Sequence, residues 1–241
     1  MLMRNKKEFA KGVLFLASFL VVLVTMFSDI FPGIDGRKVN GLDWADDMFN
    51  SLSKGSSYFL PEISQEVEPL KGKTVMLAVK MKSADGAARA ATVLGKAGMK
   101  AEAADTALRY TGNLGDLAGA VIKACESVYH NDAKSVGDFY GVDGLKVMET
   151  YWDVLNVSFK ELQNQRNFEE ARLVDLMSKK GIEPAYNFYG VAPESIMSKL
   201  GMSVGLLAFY VVYTLWYGFA IVHMLSGVGL STGKPKLKSE V

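Results

Sequence analysis

The residues whose type and placement could do chemistry are few. His223 is the most pointed, because it stands in an apolar stretch that holds no charged residue between Lys199 and Lys234, and ionisable groups in such stretches often serve a function. At 100° per residue it falls on the same helical face as Gly201 and Gly205, whose G-x-x-x-G spacing lets two helices approach closely, while Tyr210, Tyr213 and Tyr217 fall roughly opposite. His223 is therefore a weak candidate for a haem or quinol contact, and Gly201, Gly205 and His223 together form a candidate helix-packing face. A single intramembrane His cannot supply bis-histidine ligation. His130 ends an amphipathic stretch, where a helix dipole favours an imidazolium, and Asn131 and Asp132 stand beside it to orient the ring. No second ligand is spaced to join it, so a capping or surface role is expected.

The other chemistry-bearing patterns are weaker. Cys125 lies on an apolar stripe without a His or basic residue placed to lower its pKa, so it reads as a buried, inert thiol. With one Cys and two His, a disulfide framework, a Cys/His zinc cluster and a cysteine-ligated iron–sulfur cluster are excluded. Asp43, Asp46 and Asp47 lack EF-hand spacing and read as a solvated acidic face. Gly227–Lys234 (GVGLSTGK) misses the phosphate-loop interval and is followed by Pro235 where Ser or Thr is required. Asn156-Val157-Ser158 fits a glycosylation sequon but falls within a predicted helix. No catalytic residue, metal site or cofactor is expected.

The elements that must carry these residues are dominated by two apolar segments. The run 12–28 (GVLFLASFLVVLVTMFS) has no charge, and 202–224 (MSVGLLAFYVVYTLWYGFAIVHM) is longer; each is long enough to cross a hydrocarbon core. Arg4, Lys6, Lys7 and Lys11 precede the first, as in a signal-peptide n-region, but no A-x-A-like site follows, so an uncleaved anchor is expected. The positive-inside bias places this flank and the Lys234, Lys236, Lys238 tail in the cytoplasm. Residues 29–199 hold 20 basic and 24 acidic side chains, a net charge of −4, which argues against nucleic acid as a partner. The expected layout is a basic cytoplasmic flank (1–11), a first transmembrane helix (12–28), a juxtamembrane helix and connector (29–72), an extracytoplasmic α+β domain (73–195), a second transmembrane helix (201–226) and a basic tail (227–241). The expected location is a cell membrane, crossed twice, with both termini cytoplasmic and the central domain periplasmic or otherwise extracytoplasmic.

Within the middle, LDWADDMFNSL has helical spacing and Trp44 could anchor it at an interface. Residues 53–72 read as connector. Val75, Leu77, Val79 and Met81 alternate onto one face of a strand; Ser83 caps an Ala-rich helix that Gly98 ends; 99–103 supplies a second short strand, giving β-α-β. Amphipathic helices follow at 114–130 and 143–163, and 167–180 ends at Gly181 with Pro184 beyond it. The tetrapeptide Phe-Tyr-Gly-Val occurs at 139–142 and 188–191, each after a helix end and before a new helix start (Asp143; Ala192, with Pro193 in the first turn). This shared context suggests two similar corners, with Phe139, Tyr140, Phe188 and Tyr189 docking the loops. The fold class is thus a membrane protein with two transmembrane helices flanking a mainly α extracytoplasmic α+β domain, a small β-α-β unit followed by long amphipathic helices.

Three functional readings fit. A non-catalytic accessory or scaffold subunit of a membrane complex accounts for two apolar helices with a packing motif and an external domain without cofactor ligands; its partners are other integral membrane subunits or further copies of itself, in the lipid bilayer. An extracytoplasmic sensory or solute-binding module has an anchor-domain-anchor layout that resembles that of chemoreceptors, but the short tail after the second helix requires a partner to carry the signal. A membrane-anchored enzyme has no positive sequence support.

Overall fold

The computed structural model describes residues 4–33 and 36–230; most of the tail 227–241, with Lys234, Lys236 and Lys238, lies outside them. The protein is mostly helical with a small sheet, and divides into two compact units: the described residues before Ser53 and after Pro193 form one, and Ser53–Pro193 the other.

The first unit is built on two helices long and apolar enough to cross a membrane, α1 (Lys6–Met26) and α10 (Ile196–Gly227). In α1 the half-buried or buried positions include Phe9, Gly12, Leu16, Phe19, Leu23 and Met26, with Glu8, Ser18 and Val22 beside them; in α10 they include Leu206, Tyr213, Trp216, Ala220, His223 and Gly227. Spacings of three, four and seven are those of a two-helix seam. The helices run antiparallel, since Phe9 meets Gly227 and Phe19 meets Tyr213. Away from the seam the surface stays apolar and open, with Leu14 71% and Tyr210 68% exposed. After α1, β1 (Phe31–Pro32) and β2 (Lys38–Val39) pair antiparallel, and α2 (Gly41–Ser56) begins with Asn40 capping the amides of Leu42 and Asp43. Trp44 packs on Phe31, ring centroids 5.7 Å apart.

The second unit contains β3 (Thr74–Lys80), α4 (Ala84–Lys96), β4 (Lys100–Ala104), β5 (Ala107–Asn113), α5 (Leu114–Tyr129), α6 (Ala133–Tyr140), α7 (Gly144–Asn164), α8 (Phe168–Leu176) and α9 (Glu183–Asn187). Its sheet has the order β3-β5-β4, every pair antiparallel. The expected β-α-β unit is thus split: β5 inserts between the two strands that α4 connects. The short alternation of Leu108 and Tyr110 runs into Thr111-Gly112-Asn113, which resembles a turn, and this hid the central strand. Val75, Leu77 and Val79 of β3 join Leu108 and Tyr110 of β5 and Ala87, Ala90, Val93 and Leu94 of α4 in the core. The 53–72 stretch, expected as connector, forms α3 (Leu60–Glu66) and a 3₁₀ turn (Glu68–Leu70), adding Leu60, Ile63, Val67 and Leu70 to that core.

Gly181 and Pro184 do not stop the preceding helix, as their spacing suggested. Met177–Ile182 widens into a π-helical turn that runs directly into α9, and Pro184, which has no amide to donate, follows that widened turn. Likewise 133–140, where no element was expected between the helices at 114–130 and 143–163, is α6, and no helix begins at Ala192; α10 starts at Ile196.

Because this core is closed within residues 53–193, a fragment of those residues should give a helical far-UV circular dichroism spectrum and unfold cooperatively in urea. Leu77→Ala, at a fully buried strand position, should cost about 2–5 kcal/mol in that titration.

Candidate functional site

In the first unit the seam is closest at two glycines. A Cβ on Gly12 would lie 2.6 Å from the backbone nitrogen of Met224, and one on Gly227 2.6 Å from the Cα of Phe9, so each excludes any larger residue. The backbone amides of Arg4 and Asn5 donate to the Gly227 carbonyl at 3.0 and 2.9 Å. Higher along the seam Trp216 Nε1 donates to Ser18 Oγ at 3.2 Å, and Phe19 stacks on Tyr213 at 4.3 Å.

His223 belongs to this seam. Its Nδ1 lies 2.7 Å from Glu8 Oε2, Glu8 also meets Lys11 Nζ at 2.8 Å, and the imidazole stacks on Phe15 at 5.7 Å. Gly201 and Gly205 are elsewhere: a Cβ at either would meet nothing within 4 Å. The helical wheel groups them with His223, but the antiparallel pairing carries α10 past the end of α1 before it reaches them. Tyr213, only about 80° around the wheel from His223, packs on α1 as well.

In the second unit the two Phe-Tyr-Gly-Val segments both hold a glycine of positive φ, a region that disfavours side chains with a Cβ: Gly141 (+72°), which caps α6, and Gly190 (+84°), two residues beyond the α9 cap Phe188. Beyond that they differ. Tyr140 is buried with its hydroxyl 2.7 Å from that of Tyr151, and Phe139 is 56% exposed under Lys96 Nζ. Phe188 and Tyr189 carry the other segment over the end of α9, where main-chain atoms do the docking. Lys54, fully buried, donates from Nζ to Asn131 Oδ1 (2.9 Å), the Phe188 carbonyl (3.0 Å) and the Val191 carbonyl (2.6 Å), and lies 5.0 Å from the Tyr129 ring centroid. Asn131, held at φ +65°, also accepts from Gly190 N and donates to the Val191 carbonyl. Burial lowers the Lys54 pKa; its acceptors are all neutral. This clamp ties the first residues of the unit to its last.

Asn131 and Asp132 therefore do not orient His130. One serves the clamp and the other caps α6 through Ser135 N, while His130 Nε2 pairs with Glu126 at 3.0 Å. The same glutamate accepts from Tyr58, whose hydroxyl pKa is pushed up to about 12. Cys125 is buried, its Sγ packed near Gly181, and burial raises its pKa. Ser158 of the sequon is buried against the Tyr110 hydroxyl. Among the described residues no three His, Cys, Asp or Glu side chains cluster as a metal site. No signal in the sequence marks Lys54, because its partners lie 77 to 137 residues away; Gly12 and Gly227 could have been found from the heptad spacing around them.

The geometry defines a pair of mutually packed apolar helices joined to a helical unit with a split β-α-β sheet. Comparison with known protein families, characterised proteins and solved structures returned no match.

Lys54→Met should cost about 1–3 kcal/mol by urea denaturation, because it strips a donor from buried carbonyls, and should make the 188–193 segment cleavable in limited proteolysis. A second test uses Glu170, whose carboxyl is held below its ordinary value of 4.5 chiefly by Lys73 Nζ, 2.5 Å away. A carboxyl lowered in the fold contributes stability present above its unfolded value and lost as pH falls through the folded one. Lys73→Met should therefore lessen the decline in urea midpoint of the 53–193 fragment between about pH 5 and 3.

Proposed function

We propose that the protein is a membrane-anchored, non-catalytic accessory subunit, held by α1 and α10 as a two-helix hairpin with both helix ends near Asn5 and Gly227 on the cytoplasmic side and residues 53–193 extracytoplasmic. The reading rests on one observation: the hairpin closes on itself through Gly12 and Gly227, yet leaves the Gly201–Gly205 face of α10 bare. In lipid, small residues let a second helix come into van der Waals contact, and such packing substitutes for the hydrophobic drive available in water. The exposed apolar surface of both helices supports the bilayer setting, and the basic residues at positions 4 to 11 support the orientation.

Two variants separate the internal seam from the external face. Gly205→Leu should reach the membrane at wild-type level but lose its co-purifying chains in mild detergent, because Leu suits lipid and fills the gap a partner needs. Gly12→Leu should instead damage the hairpin and lower the membrane level itself. A wild-type chain that runs as a lone monomer, or a Gly205→Leu variant that keeps every partner, would overturn the accessory reading.

A further inference from the structure

The second unit holds a cavity of about 380 Å³ that plays no part in the clamp or the sheet. One wall is the α7 side, with Glu149 and Trp152; the other is Glu183 and Tyr186, at the start of α9; Met148 and Ile182, both fully buried, form its apolar floor. Trp152 Nε1 donates to Glu183 Oε1 at 3.0 Å, which fixes the indole and brings a carboxylate to its edge. The π-helical turn at Met177–Ile182 makes this possible. Its extra residue rotates everything after it by about 100° relative to a continuous α-helix, turning Glu183 and Tyr186 toward Trp152. π-turns within α-helices are frequent at functional sites.

The charges around the cavity are unequal. Lys82 pairs with Asp153 (2.7 Å), Lys179 with Asp175 (2.8 Å) and Lys146 with Glu149 (2.6 Å). Glu183 makes no salt bridge among the described residues; its carboxylate accepts from Trp152 Nε1 and lies within coulombic reach of Lys179, whose own salt bridge is to Asp175. The Trp152 ring already attracts one ammonium of the chain itself, Lys82 Nζ at 5.5 Å from its centroid.

We propose that this cavity is a binding site for a small organic ammonium ion, an alkylated amine whose cationic head faces Glu183 between the Trp152 and Tyr186 rings. Aromatic faces attract a cation through the ring quadrupole, and most strongly where water is thinned. The carboxylate supplies the opposite charge, and the Met148–Ile182 floor accepts the alkyl carbons. The volume is in the range of small-molecule pockets. Two carboxylates with aromatic walls do not make the oxygen-rich shell that a bare divalent cation requires. The site stands independently of the membrane partners proposed above.

The test is a titration of the full-length protein in a non-ionic detergent with tetramethylammonium and with choline, followed by tryptophan fluorescence at a constant ionic strength of about 0.1 M, where loose surface pairing is screened. A saturable change is expected that Trp152→Phe abolishes. Glu183→Gln keeps an oxygen for the indole N–H and removes only the charge, so it should weaken binding about tenfold or more, and Tyr186→Leu should weaken it severalfold with the circular dichroism spectrum unchanged. Neopentyl alcohol, of the same shape without the charge, should give no saturable change. Absence of saturation with both cations, an equal response to neopentyl alcohol, or full binding by Glu183→Gln would each overturn the proposal.

Discussion

The approach of α1 to α10 depends on two missing side chains. Where Gly12 and Gly227 face the partner helix, backbone meets side chain and backbone at distances no Cβ could share, and this fixes the register of the whole seam. Once it is set, Phe19 reaches Tyr213, Ser18 meets the Trp216 indole, and His223 arrives at Glu8. Polar groups on apolar helices are costly unless satisfied, and here Glu8, Lys11 and His223 satisfy one another within a single end of the seam. His223 thereby acquires a concrete structural partner, and the exposed apolar residues are left on the outside of the pair.

The second unit solves a different problem. Its helices carry apolar stripes that no one of them could bury alone, and the split sheet gives α4 and α7 a common floor. Chain entry and exit are then held at one point by an ammonium surrounded by neutral oxygens. A buried cation with no carboxylate beside it has lost much of its hydration; three short hydrogen bonds and the Tyr129 ring offset that loss. The clamp depends on all of them being present together. Asn131, in a backbone conformation few side chains adopt, supplies an acceptor to Lys54 and to Gly190 at once.

Both Phe-Tyr-Gly-Val segments follow a helix and hold a left-handed glycine, yet Tyr140 is buried with its hydroxyl on that of Tyr151, whereas Tyr189 stays partly exposed. Identical letters thus share the local backbone property they encode and diverge in what surrounds them. The π-turn makes the same point in reverse: Gly181 and Pro184 are ordinary stop signals, but a core that continues to bury Met177, Ile182 and Ala185 keeps the helix going at the cost of one widened turn.

Periodicity alone was enough to determine the two apolar helices, the strand at 74–80, the helices at 84–96, 114–129 and 144–164, and the burial of Cys125, because each depends on residues within a few turns of one another. Tertiary structure decided the rest. Strand β5 is central only because two other strands flank it, and α6 is a helix whose eight residues are too few to show a period. The His223–Glu8 contact, the Lys54 clamp and the Trp152–Glu183 cavity join residues tens to hundreds of positions apart. Helical wheels and spacing rules describe one element at a time, and which faces of two elements meet is set by packing that no single element contains.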